Sequence, residues 1–346
     1  MFSWPHTNCQ VTARYYKPGL MDEYAEGSTS DLSGGAKAIH KFETQTLSAM
    51  RMKLTDENTS CSLQTSSITM KTKGNSCEMT SSSDFNFKIN YSITPATATQ
   101  PSPFTLDLTF EPKSAPFQIN GGEIHFGATK TDGFIEMKFI PSGRCEGKIS
   151  IDGEKFDFRG FGICLRQFQG VKPHLTTKRW NCAYFQERVK SADDKVKGLF
   201  MIQAQFSSAY NGESINYGFY FDGEKLQAVT SQENEIIFAK TSVDPENGYC
   251  VPDHFDYRWK GIGMNGDAFT ATVSGTQQSR MARIDLLENV PIIFRRIVEN
   301  VCPARPYIYQ NYNQDVEAEI NGEKVIGTLF QEFSFLLEDP SQWSGK

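Results

Sequence analysis

An all-β chain of two antiparallel units is what this sequence predicts, and three observations carry the prediction. Apolar and polar residues alternate over several stretches, and one Gly-containing turn recurs between such stretches. The length of 346 residues exceeds what one domain usually needs and suffices for two cores. An apolar fraction of 38% with 26 Phe suits many short amphipathic strands rather than disorder or a membrane bundle.

From the amino terminus onward, residues 27–35 read as a Gly-containing loop, and residues 55–83 are rich in Ser and Thr without carrying chemistry. Phe85, Phe87, Ile89, Tyr91 and Ile93 then alternate with polar residues, and Phe104, Leu106, Leu108 and Phe110 repeat the pattern. Each run predicts a strand with one apolar face. Residues 94–103, rich in Pro, Thr and Ala, form the loop between them. Tyr257, Trp259 and Gly261 precede Asn265-Gly266, and Phe269, Ala271 and Val273 follow it. That is a hairpin, because Asn-Gly readily takes the positive φ values of a tight primed turn. Ile151-Asp-Gly-Glu-Lys, Phe221-Asp-Gly-Glu-Lys and Ile320-Asn-Gly-Glu-Lys use one turn recipe in both halves of the chain. One segment departs from the strand period. Between Asn289 and Cys302, Val290, Ile293, Phe294, Ile297, Val298 and Val301 recur at helical spacing, opposite Arg295, Arg296, Glu299 and Asn300. An amphipathic helix near the C-terminus is expected there, with Pro291 in its first turn and Pro303 ending it.

The densest stretch is Gln169 to Gln186, QGVKPHLTTKRWNCAYFQ, which packs Pro, His, Arg, Trp, Tyr and Phe together without spelling a catalytic motif. Two readings stand: a junction between packed units, or the wall of a ligand cavity. On the second, Arg179 beside Trp180 would orient the polar head of a mainly apolar ligand.

A net charge of -6 and a pI near 5.5 argue against a nucleic-acid partner. The eight cysteines are scattered, with no Cys-x-x-Cys pair and no His at zinc spacing, so they read as buried reduced thiols of a cytoplasmic protein. The first residues lack a signal-peptide pattern, and no run of apolar residues is long enough to span a bilayer as a helix. The glycosylation sequons at Asn58 and Asn90 are therefore read as chance matches. Nucleophile-elbow, phosphate-loop and metalloprotease motifs are missing from the sequence, and His6, His40, His125, His174 and His254 stand apart from one another. Asp193 and Asp194 lie in a run of alternating charge that reads as a solvated loop. No catalytic residue, metal or cofactor is assigned.

Several blocks nevertheless carry a resemblance. SAPFQINGG (Ser114 to Gly122), HFG (His125 to Gly127), FIPSGRCEGKI (Phe139 to Ile149) and QGVKPHLTTKRWNCAYFQ resemble the fungal survival-factor family, the oxidative-stress survival proteins. RIDLLENVP (Arg283 to Pro291), RPYIYQ (Arg305 to Gln310) and GTLFQEFSF (Gly327 to Phe335) continue it in order. The resemblance implies two tandem lipocalin-like antiparallel β-barrels, expected here as residues 1–168 and 169–346. It also implies carriage of ceramide or a related sphingolipid between endoplasmic reticulum and Golgi, with a role in oxidative stress. A small closed barrel suits such cargo, since hidden hydrocarbon contributes about 25 cal/mol per Å². On that reading Trp180, Tyr184 and Phe185 form the wall, with Arg179 and His174 as polar contacts. The location would be cytoplasmic, peripheral at both membranes. Family members touch membranes through an amino-terminal amphipathic helix, whereas here Phe2-Ser-Trp-Pro-His leads straight into TNCQVTARYY, which resembles the family's first strand. Three readings of that departure stand: the chain is truncated, another surface makes the transient membrane contact, or the chain is a divergent paralogue whose lipid-transfer role is lost. Two other classes stay open: a carotenoid-hydratase-like enzyme using Asp256 or Asp285 as its acid, and a ligand-free stress scaffold.

Overall fold

The structure is a computed structural model and describes residues 8–9, 47–48, 60–64, 67–72, 75–81, 87–93, 104–129, 133–151, 154–170, 177–188, 195–223, 225–231, 233–285 and 307–335. The helix expected at Asn289–Cys302, His174, Phe85, the loops at 27–35 and 94–103, and the Asp152-Gly153 turn lie outside the described residues. Two compact units emerge, Met1–Gly122 with Glu136–Gly170, and Glu123–Ile135 with Val171–Lys346.

In the first unit, β1 (Asn8–Cys9) pairs with β2 (Leu47–Ser48). A separate sheet, which lies in this unit except for residues 123–135, is built from β3 (Ser60–Gln64), β4 (Ser67–Thr72), β5 (Asn75–Ser81), β6 (Phe87–Ile93), β7 (Phe104–Pro112), β8 (Phe117–Phe126), β9 (Gly133–Ile151) and β10 (Glu154–Gly170). Its order is β10-β9-β7-β6-β5-β4-β3, with β8 on β9. The alternating runs read from the sequence face each other in register, Phe87 opposite Phe110 and Ile89 opposite Leu108. Phe110 and Leu108 are buried, and Phe117 stacks on Phe139 at 5.3 Å. At Gly143 a Cβ would stand 2.1 Å from the Phe110 ring, so the strand needs glycine there.

The second unit contains β11 (Thr177–Glu187), β12 (Lys197–Phe206), β13 (Ser214–Asp222), β14 (Lys225–Ser231), β15 (Glu235–Val243), β16 (Cys250–Ile262), β17 (Ala268–Thr276), β18 (Ser279–Asp285), β19 (Tyr307–Ile320) and β20 (Glu323–Phe335). They form a sheet in the order β14-β13-β12-β11-β20-β19-β17-β16-β15, with β18 on β19. The sheet curls until β14 meets the end of β16. There Ala228 bridges Gly263, and the Met264 N–H donates to the Gln227 carbonyl at 2.7 Å. The all-β, barrel-like architecture is thus observed.

The inner face of this curl is packed rather than hollow. Phe185, Phe255, Tyr257 and Val273 are 0% exposed, Trp259 is 1% exposed, and they share one cluster with Ala183, Leu199, Met201 and Leu329. The Trp259 indole N–H donates to the Phe200 carbonyl at 2.7 Å. The ring lies so close to Gly218 that a Cβ there would be 2.6 Å from Trp259 Cδ1. A polar chain runs through the same interior. Asn313 Nδ2 donates to Gln277 Oε1 at 3.0 Å and to Gln331 Oε1 at 2.9 Å, while Gln331 Nε2 donates to Tyr257 OH at 3.0 Å. Buried amides paired this way help to specify register, because a slip would orphan them.

Turn chemistry is obeyed unevenly. Asn321 and Gly322 both take positive φ, 50° and 83°, between the paired Ile320 and Glu323, a tight primed turn as expected. The β16–β17 hairpin has the expected register, Trp259 opposite Ala271 and Tyr257 opposite Val273. Its connection is longer than a two-residue turn, however, because pairing stops at Ile262 and Ala268. Gly263 and Met264 are drawn off to pair with β14, Gly266 takes φ 88°, and Asn265 Oδ1 accepts the Asp267 N–H at 3.1 Å.

Candidate functional site

β11 lies between β12 and β20, and its alternation sends neighbouring side chains to opposite faces. Ala183 and Phe185 enter the packed core, so Trp180, Cys182 and Tyr184 lie on the other face. Register carries that face across the sheet. Cys182 stands opposite Ile202 on β12 and Glu332 on β20, and Glu332 stands opposite Gln310 on β19. Tyr184 likewise stands between Phe200 and Phe330. The Trp180 indole N–H donates to Glu332 Oε1 at 3.0 Å, and Gln310 Nε2 donates to Glu332 Oε2 at 2.6 Å. Tyr184 OH donates to Gln186 Oε1 at 3.0 Å.

This face combines two properties that a packed core does not. Trp180, Cys182, Tyr184, Phe330 and Glu332 all keep some accessible surface. Yet burial pushes the Glu332 carboxyl above the usual carboxylate range, outweighing the hydrogen bonds from Gln310 and Trp180 that pull it down. Burial, then the nearby Glu332 charge, pushes the Cys182 thiol up as well. We take this face, densely surrounded yet partly accessible, as the candidate recess. Its walls are largely aromatic, its donors are neutral, and among the described residues no Lys or Arg pairs with Glu332.

The Svf1 family model matches residues 4–337. The chain belongs to the Svf1 family. Relatives of this family member include the ceramide-binding protein SVF1 of Candida albicans, 32% identical over 213 residues, which are 59% of this chain and 53% of that protein. Another is the ceramide-binding protein svf1 of Emericella nidulans, 28% identical over 240 residues, 67% of this chain and 61% of that one. The matches therefore span less than two thirds of these relatives' own length. Among solved structures, CghA with Sch210972 superposes with a TM-score of 0.50 at 8% identity, over 78% of this chain and 70% of that one. That likeness is one of fold.

In this Svf1-family chain only part of the set singled out from sequence is brought together on one face. Trp180 and Tyr184 share the recess face, whereas Phe185 belongs to the core, because adjacent strand residues point oppositely. Arg179, partly buried, falls by alternation on the Phe185 side, and His174 lies outside the described residues. Asp256 is taken up by Arg258, whose Nη2 and Nε lie 2.5 and 3.1 Å from its Oδ2. Asp285 accepts from Tyr307 OH at 3.4 Å and pairs with the odd-numbered, core-facing side of β19. Neither acid belongs to the Glu332 row. Glu332 itself was overlooked in the sequence. The sequence carries little signal for it, because the even-numbered set Thr328, Phe330, Glu332 and Ser334 reads as an ordinary, mostly polar strand face.

Two other clusters are chemically saturated. Asp244, 1% exposed, accepts from Arg280 Nη1 at 3.0 Å, Arg283 Nη1 at 3.2 Å, Tyr309 OH at 3.2 Å and the Glu246 N–H at 3.1 Å. Burial raises this carboxyl, but those partners together outweigh it and hold the group below the usual range. The Arg280 guanidinium also lies over the Tyr309 ring at 5.3 Å, and Arg283 pairs with Glu246. The second is a groove of about 350 Å³ edged by Glu233, Glu235, Arg258 and Lys260, which pair as Lys260–Glu233 at 3.0 Å and Arg258–Glu235 at 3.5 Å. An apolar chain would find little there. Among the described residues no His, Cys, Asp and Glu group of three fits a metal, and Cys145, Cys164, Cys182 and Cys250 are free thiols.

Proposed function

We propose that this chain is a lipid carrier that binds ceramide or a closely related sphingolipid at the recess walled by Trp180, Tyr184 and Phe330. The observation that carries the reading is the desolvated but accessible aromatic face, which suits an apolar chain better than either charge-saturated cluster does. The names of the family relatives point to the same ligand class. Non-vesicular transfer between endoplasmic reticulum and Golgi, a cytoplasmic setting and a role in oxidative stress belong to this proposal. A carrier must exchange cargo at a membrane. The β16–β17 turn offers a contact for that step, since Ile262 and Met264 stand 67% and 68% exposed at its tip.

Native mass spectrometry of the purified chain tests the reading. Co-purifying or added ceramide should load at one molecule per chain, and Trp180→Ala should lower loading several-fold with little loss of melting temperature. Unchanged loading with clear destabilisation would place Trp180 in a structural role and sink the recess as the site. A lipid recovered with the mass of one added water would instead favour the hydratase reading.

A further inference from the structure

We infer that Glu332 is the headgroup receptor of the recess, and that it selects a neutral headgroup carrying hydroxyl and amide N–H donors over a phosphorylated one. The inference rests on the lipid-carrier reading and adds the residue and the chemistry that set its selectivity.

Three features of the site lead to it. Both carboxylate oxygens already accept one neutral donor, Trp180 Nε1 at 3.0 Å and Gln310 Nε2 at 2.6 Å, which fixes the plane of the group. Each carboxylate oxygen has two lone-pair positions, so those bonds leave accepting capacity on both. Glu332 as a residue keeps some accessible surface rather than being sealed in the core. Second, the donors are an indole and an amide, and no cation among the described residues pairs with this acid. In its ionised form such a carboxylate is improved by every further hydrogen-bond donor. It is worsened by another anion, since like charges in a dry site repel strongly. Third, Trp180, Tyr184 and Phe330 flank Glu332 on the same face, so a headgroup at the carboxylate leaves its hydrocarbon against rings. Ceramide presents two hydroxyls and one amide N–H close together beside two long chains. Its 1-phosphate exchanges the terminal hydroxyl for a dianionic group. The recess thus matches the first lipid and opposes the second.

The test uses the full chain with three probes: ceramide, ceramide 1-phosphate, and 1-O-methyl ceramide, which keeps the oxygen but loses the donor hydrogen. Wild-type protein should load ceramide at least about tenfold better than either analogue, the range of a hydrogen bond to a charged group. Glu332→Gln is nearly isosteric, and the Gln310 amide can turn over to accept from it. That variant should load ceramide about tenfold less well and bring the ceramide to phosphate ratio close to one. Circular dichroism and a melting curve establish that it folds. If the variant does not fold, the methylated probe on wild-type protein decides by itself: equal loading of ceramide and its methyl ether overturns the assignment. Ceramide loading with an unchanged ratio in Glu332→Gln overturns it as well, while leaving the carrier reading intact. Wild-type protein that loads no lipid overturns both.

Discussion

Tyr184 and Phe185 are adjacent in sequence and opposite in circumstance. Phe185 is 0% exposed among Ala183, Leu199 and Leu329, and its neighbours leave no room or hydrogen-bonding capacity. Tyr184 keeps accessible surface, and its hydroxyl reaches Gln186. On the proposed reading, one strand serves two purposes. Its inner face contributes stability through close packing, and its outer face keeps the spare surface and accepting capacity that binding requires. A large aromatic residue is not by itself evidence for either role; its parity along the strand decides.

Substitutions can break or sharpen this contrast. The largest effect is expected inside: Trp259→Ala removes a fully buried ring and the bond to Phe200, and should cost about 3–5 kcal/mol in urea denaturation. A loss below about 1 kcal/mol would mean that the inner face is not a packed core. Asp244→Ala leaves Arg280 and Arg283 without their shared buried acid and should cost about 3 kcal/mol at neutral pH. Because the folded protein holds this carboxyl below its ordinary range, its contribution is present above that range and lost as pH falls through the depressed value. The gap between wild type and variant should therefore close in acid. Gly218→Ala pushes a methyl against Trp259 and Thr230 and should cost about 1–3 kcal/mol, read as a lowered melting temperature.

Outside, effects on stability should be smaller or reversed. Glu332 has a raised carboxyl, so the folded state holds its proton more tightly and wild-type stability falls as pH rises from the ordinary carboxylate range through the raised value. Glu332→Gln does not titrate, so its melting temperature should exceed that of wild type at neutral pH, and the advantage should vanish in acid. Smallest of all is the double change Ile262→Ser with Met264→Ser, expected within about 0.5 kcal/mol of wild type. Its readout is co-sedimentation with phosphatidylcholine vesicles, which should drop; unchanged sedimentation would remove the β16–β17 turn as the membrane contact.

Much of the fold was legible because strand alternation is a local property. The runs at 87–93 and 104–110 fall opposite one another, and the rings of Tyr257 and Trp259 point inward as their spacing required. Asn321-Gly322 turns as its composition demands, since both residues tolerate positive φ. The Asn265-Gly266 connection came out longer because closure onto β14 claimed Gly263 and Met264, a long-range demand that no turn propensity records. At the site, Trp180 and Tyr184 were visible as rings in a dense segment, but the acid that Trp180 meets was not.

Sequence by itself determined which residues share a face, because successive side chains of a strand point to opposite sides whatever surrounds them. That made an all-β chain of amphipathic strands readable, together with its family. Only the tertiary structure decided which face became core and what completed the other one. Trp180 and Glu332 are 152 residues apart and meet because β11 and β20 pair at one register. A shift of that register by a single residue would have turned Glu332 toward the core and left the recess without its carboxylate.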